Sequence, residues 1–198
     1  MKNIDFNAIL KPNLPQISPQ QGRILIAEPF MLGFYFSRSI ILIVTHDNDE
    51  TIGLVLNKIT DVYSNEFIDG ISKFNGALYL GGPTEPHSLH YLHTLGDKVP
   101  NAFKITDSIY YGGDFEVLKK LIKKGVADSK SVKFFAGYAG WGAGHLSKEL
   151  EEHAWVVSTL DDKTIMQMNS IQSWGETLEE LGGVYKIWTN IPLEPSFN

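Results

Sequence analysis

The sequence contains no cysteine. Disulfides, thiolate metal sites, thiol redox chemistry and a cysteine nucleophile are therefore excluded, and the composition is compatible with a reducing compartment. Long apolar runs are also missing. The longest is Ile40 to Val44, far short of the roughly 20 residues that span a bilayer as a helix. The opening residues, MKNIDFNAILKPNLPQ, hold no apolar stretch of signal-peptide length. These features predict a soluble, cytoplasmic protein without a membrane segment. A basic excess is absent too: 17 Lys and Arg face 23 Asp and Glu, a net charge of −6. That balance argues against direct nucleic-acid binding, which rests on neutralising phosphates.

Several nucleotide and catalytic signatures are likewise lacking. The cluster Gly137, Gly140, Gly142, Gly144 is followed by His145 and Leu146, where a P-loop needs Lys and then Ser or Thr. Counting from Gly140, the third glycine of a dinucleotide fingerprint would fall on His145. No Gly-x-Ser-x-Gly elbow occurs, and chain order alone assigns no Ser/His/Asp set.

What is present describes a globular chain. Its 198 residues suffice for one domain with a proper core, and 12% aromatic content argues against disorder. Residues 1–21, with prolines at 12, 15 and 19, read as an extended lead-in, and 22–198 as a single domain. Strands are predicted over 23–27, 39–45 and 51–56, the last two joined as a hairpin through the polar turn HDNDE. The 39–45 run is too continuous to be half exposed and reads as a central strand. Further strands are predicted over 77–80, 88–95, 103–111, 132–138 and 154–159, with a short helix near 65–70. Asp114 opens a helix whose apolar face carries Phe115, Leu118, Leu121 and Ile122 and which Gly125 ends. Helices are also predicted over 144–152 and 170–181. Strands come first and helices mostly later, which predicts α+β.

Each candidate for chemistry has a plain packing alternative. The glycines of 137–144, beside Tyr138 and Trp141, form either a ligand loop or a tight turn under packed aromatics, and the turn is the more economical reading. His145 and Glu149 share a helical face and are expected to meet as an ion pair or hydrogen bond. His87, His90 and His93 fall within seven residues, yet on a strand 90 and 93 point to opposite faces, which argues against a shared metal. Lys119, Lys120, Lys123 and Lys124 suit a helix C-terminus. Gly81-Gly82-Pro83 and Gly112-Gly113 read as turns, and Asp161-Asp162 as turn or cap residues.

Taken in order, several segments resemble the YqgE/AlgH family of bacterial proteins, across roughly residues 22 to 188. They are Gly22-Arg-Ile-Leu-Ile-Ala-Glu-Pro29, Phe36-Ser-Arg-Ser-Ile40 followed by His46, and Gly53-Leu-Val-Leu-Asn57. Gly81-Gly82-Pro83 with Leu92-His93, and Tyr111-Gly112-Gly113, follow. Most specific is Gly137-Tyr-Ala-Gly-Trp-Gly142 with Gly144, Leu146, Glu149 and Ala154-Trp155. The chain departs from the family pattern at Ala143, His145 and Ser147, where that pattern tends to proline, glutamine and an acidic residue. A catalytic role for His145 is weakened by that departure. The resemblance implies an α+β fold with a mixed, mainly antiparallel, barrel-like sheet and flanking helices. It implies a cytosolic location and no established activity. The family name carries an association with transcriptional regulation, which an acidic chain without a visible helix-turn-helix fits better through a protein partner than through DNA.

The expectation is thus a non-catalytic regulatory or binding module that engages a protein partner or small ligand, with no cofactor and no metal. Its expected surface comprises Gly81, Gly82, His93, Tyr138, Gly140, Trp141, Gly142 and Glu149, with Trp141 exposed as an anchor. The alternative is an enzyme, for instance a hydrolase, using Glu149 or His46 as acid or base.

Overall fold

A computed structural model describes residues 17–192. Ten strands and six helices alternate irregularly along this span, with strands dominating its first half. The strands are β1 (Ile24–Ala27), β2 (Ile40–His46), β3 (Glu50–Val55), β4 (Ile59–Tyr63), β5 (Ala77–Leu80), β6 (Thr84–His93), β7 (Phe103–Lys104), β8 (Tyr110–Tyr111), β9 (Val132–Gly142) and β10 (Trp155–Ser158). The helices are α1 (Ser64–Phe67), α2 (Phe115–Lys123), α3 (His145–Glu151), α4 (Asp162–Gln167), α5 (Gln172–Leu181) and α6 (Tyr185–Trp188). The chain is a single α+β domain.

The main path of the sheet runs β10-β1-β2-β3-β9-β6-β8-β7, and β4 and β5 join it through β5 beside β9. All pairings are antiparallel except β5 with β9. β9 is the strand that both halves share. It pairs with β5 and β6 through Phe134 to Ala136 and with β3 through Ala139 to Gly142. The sheet does not close among the described residues: β10 and β7 are its free ends. The barrel-like expectation is corrected to an open, mixed sheet.

The uniform apolarity of β1 and β2 has a direct cause: both of their faces are covered. Ile24, Ile26, Ile40, Leu42 and Val44 pack on one side with Met166 of α4, Trp174 and Leu178 of α5 and Trp188 of α6. Leu25, Ala27, Ile41 and Ile43 pack on the other with Trp141, Trp155 and Leu146 of α3. Helix α2 covers the β5–β9 region instead, placing Leu118 and Ile122 with Phe134, Phe74 and Leu78. Asp114 caps α2 as predicted, its side chain accepting from the Val117 N–H at 3.0 Å, and Gly125 ends it at φ +70°.

Three expectations need correction. The predicted strand 103–111 is a small hairpin of two two-residue strands, with Phe103 opposite Tyr111. The glycine-rich stretch 137–142 is part of β9, not a loop after it. Strand β4 and helix α4 were not predicted; β4 is largely exposed, so it carries little alternation, and α4 is only six residues long. Asp161 does act as a cap, accepting from the Thr164 N–H at 3.0 Å. Most of the predicted lead-in, residues 1–16, lies outside the described residues.

Candidate functional site

The glycines of the central motif are explained first by close backbone approach. A Cβ at Gly81 would stand 2.0 Å from the Gly137 carbonyl oxygen, and one at Gly82 would stand 2.2 Å from the Tyr138 carbonyl. The Gly81 N–H donates to Ala136 O, and its carbonyl accepts from Val55 N, each at 2.9 Å. Gly81 and Gly82 are therefore buried at a crossing of two chain segments, and the amide of Gly81 is already used within the sheet. Gly137, at φ +67°, is the bend that permits β9 to change neighbours.

Beyond that bend, alternation along β9 turns Trp141 toward α3. It is 7% exposed, so the expectation of an exposed anchor is corrected: the ring is packed. Glu149 Oε2 accepts from Trp141 Nε1 at 2.8 Å and from Trp155 Nε1 at 2.7 Å. The two indoles meet edge to face at 5.9 Å, and Phe36 stacks on Trp141 at 6.5 Å. One carboxylate oxygen thus satisfies both buried indole N–H groups, which would otherwise be costly. His145, expected to pair with Glu149, has no bond to it. The indoles reach the carboxylate instead.

A shallow pocket of about 370 Å³ lies over this cluster, lined by Phe36, Pro83, Gly140, Trp141, His145 and Glu149. Gly140 lines it as bare backbone, and a Cβ there would stand 3.1 Å from the Tyr138 ring on the other face of β9. Gly142, on the exposed end of β9, lies next to His145, whose Nδ1 would be 3.8 Å from an added Cβ. Of the expected site residues, the structure brings together Gly140, Trp141 and Glu149 at this pocket, while Gly142 lines a separate one with His46 and Thr51.

It separates the others. Tyr138 faces away from Trp141 and packs edge to face on His90 at 5.3 Å. His93 is buried at the far end of β6. Its Nε2 is 3.1 Å from Gly112 O, and its Nδ1 accepts from the Leu95 N–H at 3.2 Å. Burial lowers its pKa, partly offset by the Gly112 bond. His90 sits on the opposite face, bonded to Ser88 at 2.7 Å and Tyr111 at 2.6 Å. The divergence of residues 90 and 93 is as the strand period requires. His46, the other candidate base, is bonded to Thr51 Oγ1 at 2.7 Å.

Two features escaped the sequence reading. The first is the loop between β1 and β2. Phe30, Leu32 and Phe34 are 42%, 86% and 72% exposed, while Phe36 at its base anchors into the tryptophan cluster. Lys58 Nζ donates to Phe34 O at 2.6 Å, and Ser37 N to Gly33 O at 3.0 Å, so the loop has internal support. The signal was the aromatic-rich stretch Phe30-Met-Leu-Gly-Phe-Tyr-Phe36, two apolar triplets split by Gly33, which no predicted element used. The second is Lys133, one charge within the apolar strand Val132-Lys-Phe-Phe135. It is 3% exposed. Its ammonium donates to Ile165 O at 3.3 Å and to Met168 O, and lies 4.4 Å from the centre of the Tyr79 ring. Burial pulls its pKa down to about 7.

Comparison with known proteins places this arrangement in context. A family model described as AlgH-like matches residues 24–186. A UPF0301 protein of Parabacteroides distasonis is 40% identical over 195 residues, 98% of both chains. One from Bacteroides thetaiotaomicron is 38% identical, across 99% of this chain and all of the relative. Among solved structures, protein DIP2367 of Corynebacterium diphtheriae superposes with a TM-score of 0.72 at 24% identity, covering 90% of this chain and 95% of that one. The solution structure of the AlgH protein from Pseudomonas aeruginosa gives 0.67 at 23% identity, covering 90% and 98%. At those identities the structural likeness shows the fold alone.

Proposed function

The chain belongs to the AlgH-like family, and from its surface we infer that it is a non-catalytic binding module of the cytoplasm that engages a protein partner. The observation that carries this reading is the β1–β2 loop. Three large apolar side chains project from one short, internally bonded segment whose base is fixed by Phe36. A contiguous apolar projection of this kind costs solubility and suits an interface. Phe30 and Phe34 are the aromatic type that dominates binding energy when buried by a partner. The adjoining pocket of Phe36, Pro83, Gly140 and Trp141 has a polar border of His145, Lys148, Glu149 and Glu152. In this reading Gly81 and Gly82 support the surface from within, and Tyr138 and His93 lie outside it. A regulatory role then runs through the partner, and the net charge of −6 argues against direct contact with DNA.

The enzyme reading is less well supported. Glu149 is fixed by two indole donors, and the Thr51 hydroxyl that His46 contacts is buried, at 3% exposure, out of reach of a substrate.

Site-specific photo-crosslinking in the living bacterium tests the proposal. A photoreactive residue at position 32 is expected to give one discrete adduct that the same residue at position 120 does not. The identified partner, purified, should bind the isolated protein, and Leu32→Ser/Phe34→Ser should weaken that binding at least about tenfold with an unchanged circular dichroism spectrum. Identical adduct patterns at 32 and 120, or unchanged affinity in the double variant, would sink the reading.

A further inference from the structure

A second cavity, of about 880 Å³, opens between β4 and β5, the start of β9 and helix α4. It is more than twice the volume of the Trp141 pocket and shares no lining residue with it. We propose that this cavity binds a small organic anion, a carboxylate- or phosphate-bearing molecule with an apolar body, with Lys133 as its charge partner.

The first argument is an unmatched charge. Among the described residues, the groups that contact the Lys133 ammonium are neutral: two carbonyls at the end of α4 and one phenol ring. No carboxylate among the described residues lies within ion-pair distance of it. A buried cation without a counter-ion is costly, and an anion entering the cavity relieves that cost. Carbonyls at a helix end do favour a cation, but they carry only partial charge.

The rest of the wall points the same way. Lys130 and Lys163 line the same cavity, and among the described residues the only carboxylate there is Asp162. Asp162 Oδ2 accepts from the Ser108 N–H at 2.9 Å and from its hydroxyl at 2.5 Å. Burial opposes its ionisation, but the bonds from Ser108 and Thr106 outweigh that and hold its carboxyl below the usual range. It therefore stays charged and turned to Ser108, leaving three lysines against one carboxylate. In a chain of net charge −6, that is a local reversal of sign. Tyr79, Val132 and Met166 supply apolar surface beside the ammonium. The volume lies within the range of small-ligand sites.

Proton linkage gives the site a signature. Burial holds Lys133 near neutrality, while Tyr79 is pushed up to about 12 and remains a neutral phenol. An anion beside Lys133 favours the ammonium, so binding above neutral pH takes up a proton.

The probes are phenyl phosphate and benzoate, with inorganic phosphate as charge without body and benzyl alcohol as body without charge. Calorimetry at pH 8.5 in two buffers of different ionisation enthalpy reads the proton, and NMR of 13Cε-labelled lysine reads Lys133 directly. At least one organic anion is expected to bind one to one, about tenfold or more tighter than either control. The Lys133 titration midpoint should rise on binding. Lys130→Ala/Lys163→Ala changes only exposed side chains and should weaken binding several-fold without altering the fold. Lys133→Met should abolish binding. If Lys133→Met does not fold, the NMR midpoint and the rim variant decide. The proposal is overturned if neither organic anion binds better than the controls, if the Lys133 midpoint does not move at saturation, or if the rim variant binds as tightly as the parent. None of these outcomes depends on the β1–β2 loop.

Discussion

Single residues in this protein are explained by what meets their polar atoms. Glu149 shows this for a carboxylate: its position was legible in the motif, but its partners were not. Helical spacing suggests His145, whereas the two indole donors stand on β9 and β10, eight residues before Glu149 and six after it, spacings that no helical rule pairs. Lys133 shows it for a cation, and its titration makes a prediction. With its pKa near 7 folded and about 10.4 unfolded, the unfolded chain binds one more proton between those values. Folding stability should therefore rise with pH across about 7 to 9.5, by at most about 1.4 kcal/mol per pH unit from this group. Below neutrality both states hold the proton and this contribution to the slope vanishes. Urea unfolding of the parent and of Lys133→Met at pH 7 and 9.5 measures it. The parent should gain stability relative to the variant; parallel changes in the two would place the Lys133 pKa near its ordinary value.

Among elements, legibility followed burial and capping. Strand β2 and the β2–β3 hairpin were readable because a covered strand is uniformly apolar and its turn is polar. Helix α2 was readable because Asp114 and Gly125 mark its ends. β4 and α4 were not, since an exposed edge strand and a six-residue helix leave little periodicity. The stretch 137–142 failed for a more specific reason. Clustered glycine there predicts a loop, but Gly137 sits inside β9, where a Cβ would stand 2.6 Å from the Gly82 carbonyl oxygen, as crowding acts on Gly81 and Gly82 opposite it. That distinction is testable. Gly81→Ala places a methyl group against the Gly137 carbonyl and must displace β5 from β9, costing roughly 3 kcal/mol or more. Gly144→Ala meets no atom within 4 Å and pays only for its φ of +73°, about 1–2 kcal/mol. Denaturant midpoints of the two variants should differ accordingly. An equal loss in both would mean that conformational freedom, not crowding, explains the glycines.

At the level of the whole molecule, the α+β class was legible from element order, and the openness of the sheet was not, because closure depends on pairings between strands far apart in sequence. The architecture also implies an uneven stability. β1 and β2 are covered on both faces, by Trp174 and Trp188 on one side and Trp141 and Trp155 on the other. Ile43 N donates to Arg23 O at 2.9 Å, and Leu56 N to Ile40 O at 2.8 Å, across this doubly covered region. At the periphery, β7 and β8 contribute two residues each, and the register of β4 shifts between its two paired positions, Ile59 and Tyr63. Local opening exposes little apolar surface at those edges and a great deal in the centre. Native-state hydrogen exchange should therefore find the amides of Ile43 and Leu56 opening only with global unfolding, at the free energy measured by denaturant. The β7–β8 and β4 amides should exchange through openings several kcal/mol lower. Uniform protection across all ten strands would contradict this ranking. It would mean that the shared strand β9 couples the edges to the centre strongly enough for the sheet to open as one unit.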